Sequence, residues 1–199
     1  MQREKLNELD LVRAFAILGV LSVHSTSFAT LNMLETSLFG VYNFFNIFFK
    51  VGTTTFIFLS SFVLFYNYYP QPLTKQRFAK FYKNRLLYIL IPYVLFSLGY
   101  FILRWYQNGA VWSPEVLAKF GRELATGKAY THLYFVFISI QFYVLFPILL
   151  LLFQKWRRFA PYAFLIGIAL QWAFIVLNKF EFQVANRGSW SIAYFSYYF

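Results

Sequence analysis

The 199 residues carry a formal net charge of +11; 60% are hydrophobic and 25% aromatic, against 13% charged. A soluble domain cannot hide that much apolar side chain, and basic residues spaced between apolar runs follow membrane topology rather than nucleic-acid binding. With no Cys, disulfides, thiolate metal sites and a Cys nucleophile are excluded, and His24 and His132, the two His of the chain, leave little for zinc.

The first apolar run, about Leu9 to Leu31, is long enough to cross a bilayer and still holds Asp10, Arg13 and His24. It has internal charges, no clear small-residue cleavage site and further spans after it, so it reads as a retained helix rather than a secretory signal. Ionisable groups near a bilayer centre cost roughly 2.5 to 3.5 kcal/mol each on insertion scales. In a regular helix, steps of three and eleven residues return the chain to nearly the same side. Asp10, Arg13 and His24 therefore form one stripe, expected to face partner helices. Arg13 and His24 are separated by roughly 16 Å of helix axis, about half a hydrocarbon core.

A second span lies within Val41 to Tyr69, with an expected interruption near Lys50 and Gly52. The segment Pro70 to Arg85 is strongly basic, with Lys75, Arg77, Lys80, Lys83 and Arg85. A third span, about Leu86 to Tyr106, contains Pro92, which predicts a kink. Ser113, Pro114 and Gly127 suit the cap, first position and stop of a short helix. Its apolar face of Val116, Leu117, Phe120 and Leu124 predicts that it lies on the bilayer. A fourth span, about His132 to Phe153, contains Pro147; a fifth runs from about Ala160 to Leu177, and the closing SWSIAYFSYYF reads as the start of a sixth.

Most of the Lys and Arg between spans fall on one side if the N-terminus is cytoplasmic: Arg3 and Lys5, the run Lys75 to Arg85, then Lys155, Arg157 and Arg158. The other side holds Lys119, Arg122, Lys128, Lys179 and Arg187. The positive-inside rule then puts the N-terminus in the cytoplasm, Arg13 toward it and His24 toward the outside. The expected fold class is all-α: a polytopic membrane helical bundle of about five complete spans and the beginning of another.

Four stretches, in order, resemble acyltransferase family 3, the polytopic membrane enzymes that acylate bacterial surface glycans and other hydroxyl acceptors. LDLVRAFAILGVLSVHS is similar to the family's opening helix, with Arg13 and His24 at its Arg-to-His spacing. VGTTTFIFLSSFVLF is similar to its second helix through Gly52, Phe56, Phe58 and Ser60, with Ser61 where the family usually has Gly. FAKFYKNRLLYILIPYVLF resembles its basic entry to helix three: Arg85 matches the first Arg of Arg-x-x-Arg and Tyr88 replaces the second. HLYFVFISIQFYVLFPILL is similar to a family span through His132, Tyr134, Tyr143 and Pro147. The Arg-x-x-Tyr variant and the aromatic-rich spans resemble the intercellular-adhesin branch, assigned to polysaccharide O-succinylation or to export. Members generally have about twice this many spans, so residues 1–199 are expected to be one acyltransferase-3-like domain's front half.

The resemblance implies an integral-membrane O-acyltransferase of the bacterial cytoplasmic membrane, with no permanently bound cofactor and no metal. Acyl-CoA would be the donor substrate and a carbohydrate hydroxyl the acceptor. It also implies roles for residues. His24 is the candidate general base, a task suited to a side chain whose ordinary pKa is about 6.5. Arg13, Arg85 and Lys83 would hold donor phosphates, since guanidinium forks match phosphate oxygens. Asp10 would orient Arg13 by an in-helix ion pair, with Ser60 and Tyr143 in support. Each residue also has a plainer reading: a packing histidine, an arginine snorkelling to headgroups, a basic segment touching lipid. A glycan exporter on the same scaffold and an inactive fragment are the alternative functions.

Overall fold

The computed structural model describes residues 6–109, 113–184 and 189–199. Arg3, Lys5 and Arg187 of the topology count lie outside the described residues. Every regular element among the described residues is helical, and five helical runs are long and apolar enough to cross a membrane: Glu8–Asn32, Phe39–Tyr68, Lys75–Gln107, Leu133–Lys155 and Ala160–Phe182. Phe15, Phe96 and Trp172 are each more than three-fifths exposed. Large rings on the outside of a helical protein fit a lipid solvent, so this is a multi-pass membrane protein.

Helix α1 (Glu8–Asn32) begins with Glu8 and Asp10 in its first turn, where carboxylates suit the positive end of the helix dipole. The second run is broken as expected: α2 (Phe39–Phe49) stops at Lys50, whose N–H turns back to the carbonyl of Ile47, and α3 (Val51–Tyr68) starts directly after it. The basic segment and the third span form one helical run. Helix α4 (Lys75–Arg85) is capped by the Thr74 hydroxyl, which accepts the Arg77 N–H at 3.4 Å. A π turn at Leu86–Leu90 joins it to α5 (Ile91–Gln107). Pro92 has no N–H for the carbonyl four residues back, and the irregularity it predicts falls just ahead of it in this turn.

Helix α6 (Pro114–Thr126) ends at Gly127, in the left-handed region at φ 70°. A Cβ there would lie 2.9 Å from that of Phe137, so the position demands glycine twice over. The apolar face of α6, expected on the bilayer, turns onto the protein instead. Phe120 meets the ring of Phe101 at 5.0 Å, Leu124 packs on the cluster of Tyr93, Ala129 and Leu133, and Arg104 of α5 pairs with Glu123. Leu117 alone of the four apolar residues is exposed. Helix α7 (Leu133–Lys155) carries buried Pro147, and α8 (Ala163–Leu177) is flanked by a 3-10 turn at Arg157–Tyr162 and a π turn at Asn178–Phe182. The closing stretch is 3-10 helix, Ser191–Tyr198, with Tyr194 off helical geometry.

The chain divides into two compact units, Met1–Asn67 with Tyr197–Phe199, and Tyr68–Ser196. In the first, α1 meets the α2–α3 junction almost backbone to backbone. A Cβ on Gly52 would come within 2.8 Å of the Ala16 carbonyl oxygen, and one on Gly19 within 3.3 Å of that of Phe49. Small residues permit this approach, as is common between membrane helices. The second unit is centred on rings: Phe81, Phe142 and Phe146 are almost fully buried, and Tyr68 packs edge-on against Phe81 and Phe146.

Candidate functional site

In the first unit, the Arg13 guanidinium donates to the Asp10 carboxylate at 3.0 Å, three residues away on α1 as the spacing predicts. Both side chains remain about half open, at 41% and 50% exposure, so the arginine keeps donors to offer an anion. His24 is half-buried on the same helix. The line of closest packing on α1 runs through Ala16, Gly19 and Val23. At about 100° per residue, Arg13 and His24 stand roughly a quarter turn from it. The charged stripe thus flanks the seam, because small residues hold the place where backbones touch.

Next to His24 lies a polar cluster that the sequence reading did not single out. Buried Asn46 of α2 donates through Nδ2 to the Val23 carbonyl at 3.2 Å, to Thr26 Oγ1 at 2.9 Å and to Ser27 Oγ at 3.1 Å. Both hydroxyls donate backward within α1, Thr26 to the Ser22 carbonyl at 2.6 Å and Ser27 to that of Val23 at 2.5 Å. Each oxygen therefore accepts from Asn46 while donating to its own helix, and the amide locks the turn of α1 that carries His24. The signal was present as an asparagine in an apolar run. Ser60 is half-buried, while Ser61 is fully buried and donates to the carbonyl of Tyr198 at 2.6 Å. This hydroxyl ties down the last residues of the chain.

In the second unit, the structure brings together Arg85, Lys83 and Tyr143. The Arg85 guanidinium carbon lies 5.1 Å from the centre of the Phe81 ring and 4.9 Å from that of Tyr143. The two rings stand nearly perpendicular, at 80°, and a guanidinium in the corner they form gains cation–π attraction. Its Nε is buried with no hydrogen-bond partner. Beside it is a cavity of about 290 Å³ whose walls include Lys83, Leu86, Leu90, Ile140 and Val144. Pro147, four residues on, has no N–H to offer the Tyr143 carbonyl, which loosens α7 at this point.

His132 precedes α7 and packs edge-on against Tyr100 and Tyr130, whose rings stack at 4.0 Å. Gln141 donates to the Ser189 carbonyl at 2.8 Å and accepts from the Ser191 N–H at 3.0 Å; Gln171 accepts from both the N–H and the hydroxyl of Ser196. These glutamines moor the chain beyond the fifth run. Among the described residues no three His, Asp or Glu side chains gather as metal ligands would.

The two units thus offer two kinds of chemistry: on one helix a half-buried imidazole with an ion-paired, half-open arginine roughly 16 Å away along the axis, and in the other unit a guanidinium against two aromatic rings at the edge of an apolar cavity. The first suits proton acceptance and anion binding at separate levels of one helix, and the second suits holding an anion with an apolar attachment. No curated protein and no solved structure matches the chain. A family model described as an acyltransferase domain matches residues 6–199. With that match extending over nearly its whole length, the chain belongs to acyltransferase family 3.

Proposed function

We propose that this protein is an integral-membrane O-acyltransferase that moves an acetyl or succinyl group from cytoplasmic acyl-CoA to a hydroxyl of a cell-surface or exported carbohydrate. Residues 1–199 belong to a single acyltransferase-3-like domain, with the N-terminus on the inner side of a bacterial cytoplasmic membrane. The observation that carries this reading is that one spanning helix of a family member carries both His24 and an arginine already oriented by Asp10.

In the proposed reaction His24 takes the proton of the acceptor hydroxyl as its oxygen attacks the thioester carbonyl. The carbon–sulfur bond breaks, an ester forms, and the departing thiolate takes up a proton. A positioned base of this kind contributes about 10²- to 10⁴-fold. Arg13 of the first unit, held by Asp10, and Arg85 with Lys83 of the second are each assigned to donor phosphates. Tyr143 supports Arg85 through its ring, and half-buried Ser60 of α3 is kept as a supporting residue. Asn46 is added as a positioning residue, because it fixes the turn that presents His24. The test is transfer of labelled acetyl or succinyl groups from acyl-CoA to oligosaccharide by the purified protein in lipid. His24→Ala is expected to lower it about 10²- to 10⁴-fold with the helical content unchanged; transfer at the native rate would remove His24 from this role.

A further inference from the structure

The sequence contains no Asp or Glu between Glu35 and Glu115 and none between Glu123 and Glu181. In the second unit Glu123 is taken by Arg104, Glu115 is bonded by Ser113, and Glu181 is exposed in the π turn after α8. Arg85 makes no ion pair among the described residues, and its Nε is buried without a partner. A buried N–H without an acceptor is costly, and a half-buried guanidinium with no carboxylate on it is open to an anion from outside the chain.

The cavity beside Arg85 says what that anion is attached to. Its volume of about 290 Å³ is at the floor of the range for small-molecule sites, roughly 300 to 1,000 Å³, so it takes one apolar arm of a larger molecule rather than the whole. Apart from Arg85, Lys83 and the Tyr82 and Tyr143 rings, its walls are aliphatic. Leu86 and Val144 on its walls are 49% and 56% exposed, so the slot is accessible from the protein surface. It begins at the basic end of a run that crosses the membrane and continues along the π turn into the apolar span. Cation first and hydrocarbon slot beyond it is the order of groups in a lipid that enters from the bilayer.

We propose that this slot holds an anionic phospholipid, its headgroup phosphate on Arg85 and Lys83 and one acyl chain along Leu86, Leu90 and Ile140. The site goes beyond the donor role given to Arg85 above: the lipid occupies the guanidinium while no donor is bound. It is tested without any turnover, so its failure and that of the transferase reading are separable.

The protein is purified from nanodiscs of equal parts phosphatidylglycerol and phosphatidylcholine, and retained lipid is read by native mass spectrometry. The native chain is expected to retain phosphatidylglycerol selectively, and Arg85→Gln to lower that retention about fivefold, the effect of one basic residue at an anionic surface. Val144→Trp, at an exposed position, fills the slot without touching charge and is expected to lower retention as well. Leu86→Trp is the substitute should Val144→Trp not fold by circular dichroism. Excess inorganic phosphate is expected to leave the lipid in place. Equal retention of the two lipids, native retention in the folded slot-filled variant, or displacement by free phosphate would each overturn the proposal.

Discussion

The two units are built from the same apolar vocabulary and hold their helices together by opposite means. In the first, α1 meets α2 and α3 through the smallest residues available, Ala16, Gly19 and Gly52, and through one amide, Asn46, that bonds three oxygens. In the second, the space between helices is filled by rings around Phe81 and Phe146, with a guanidinium against the rings of Phe81 and Tyr143. Lipid removes the usual advantage of burying hydrocarbon, since a side chain leaving the bilayer is already in an apolar medium. What remains is contact quality and satisfied polar groups. A seam of close backbones and hydrogen bonds is rigid and suits placing a catalytic base. A ring-packed interior leaves gaps between large side chains and suits a cavity.

The comparison is broken most sharply at Phe81. Phe81→Ala empties the centre of the second unit and is expected to cost about 3 to 5 kcal/mol, seen as a large fall in thermal midpoint in detergent and loss of lipid retention. In the first unit His24→Ala is expected to lower acyl transfer about 10²- to 10⁴-fold while leaving the melting profile alone, which a histidine with a purely packing role would not do. Gly52→Val puts side-chain atoms against the Ala16 carbonyl and is expected to cost about 1 to 3 kcal/mol in the same melt. If the midpoint does not move, α1 is not seated by backbone contact. Asn46→Leu keeps the volume and removes the donor, with an expected cost of about 0.6 to 1.7 kcal/mol. Because the amide fixes the turn carrying His24, its transfer rate is expected to fall more than its stability, and Asn46→Gln to restore little. Tyr93→Phe, which removes the hydroxyl donated to the Leu124 carbonyl at 2.6 Å, is the mildest, about 0.5 to 1.5 kcal/mol, and loosens α6 in hydrogen exchange.

Much of this was legible along the chain because it depends on near neighbours. Runs of apolar residues gave the five spanning lengths, Lys50 marked the break between α2 and α3, and Pro114 and Gly127 bounded α6. The Asp10 to Arg13 pair followed from a three-residue step on one helix. The face of α6 was misjudged because amphipathicity reports that a helix has an apolar side without reporting what covers it; the rings of Phe101 and Tyr93 offered a partner nearer than the bilayer. Asn46 went unremarked because its value lies in where Thr26 and Ser27 fall across the seam, twenty and nineteen residues away.

The amino-acid sequence by itself determined that this is a helical membrane protein, where its spans lie, and that Asp10, Arg13 and His24 share one helix side, since composition and helical period are local properties. Only the tertiary structure decided that Arg85 is clamped by Tyr143 from another helix, that its Nε faces no carboxylate, and that an amide from α2 anchors the turn beside His24. Those facts depend on which faces meet, and in a chain where nearly every face is apolar, the pattern of hydrophobicity cannot choose among them.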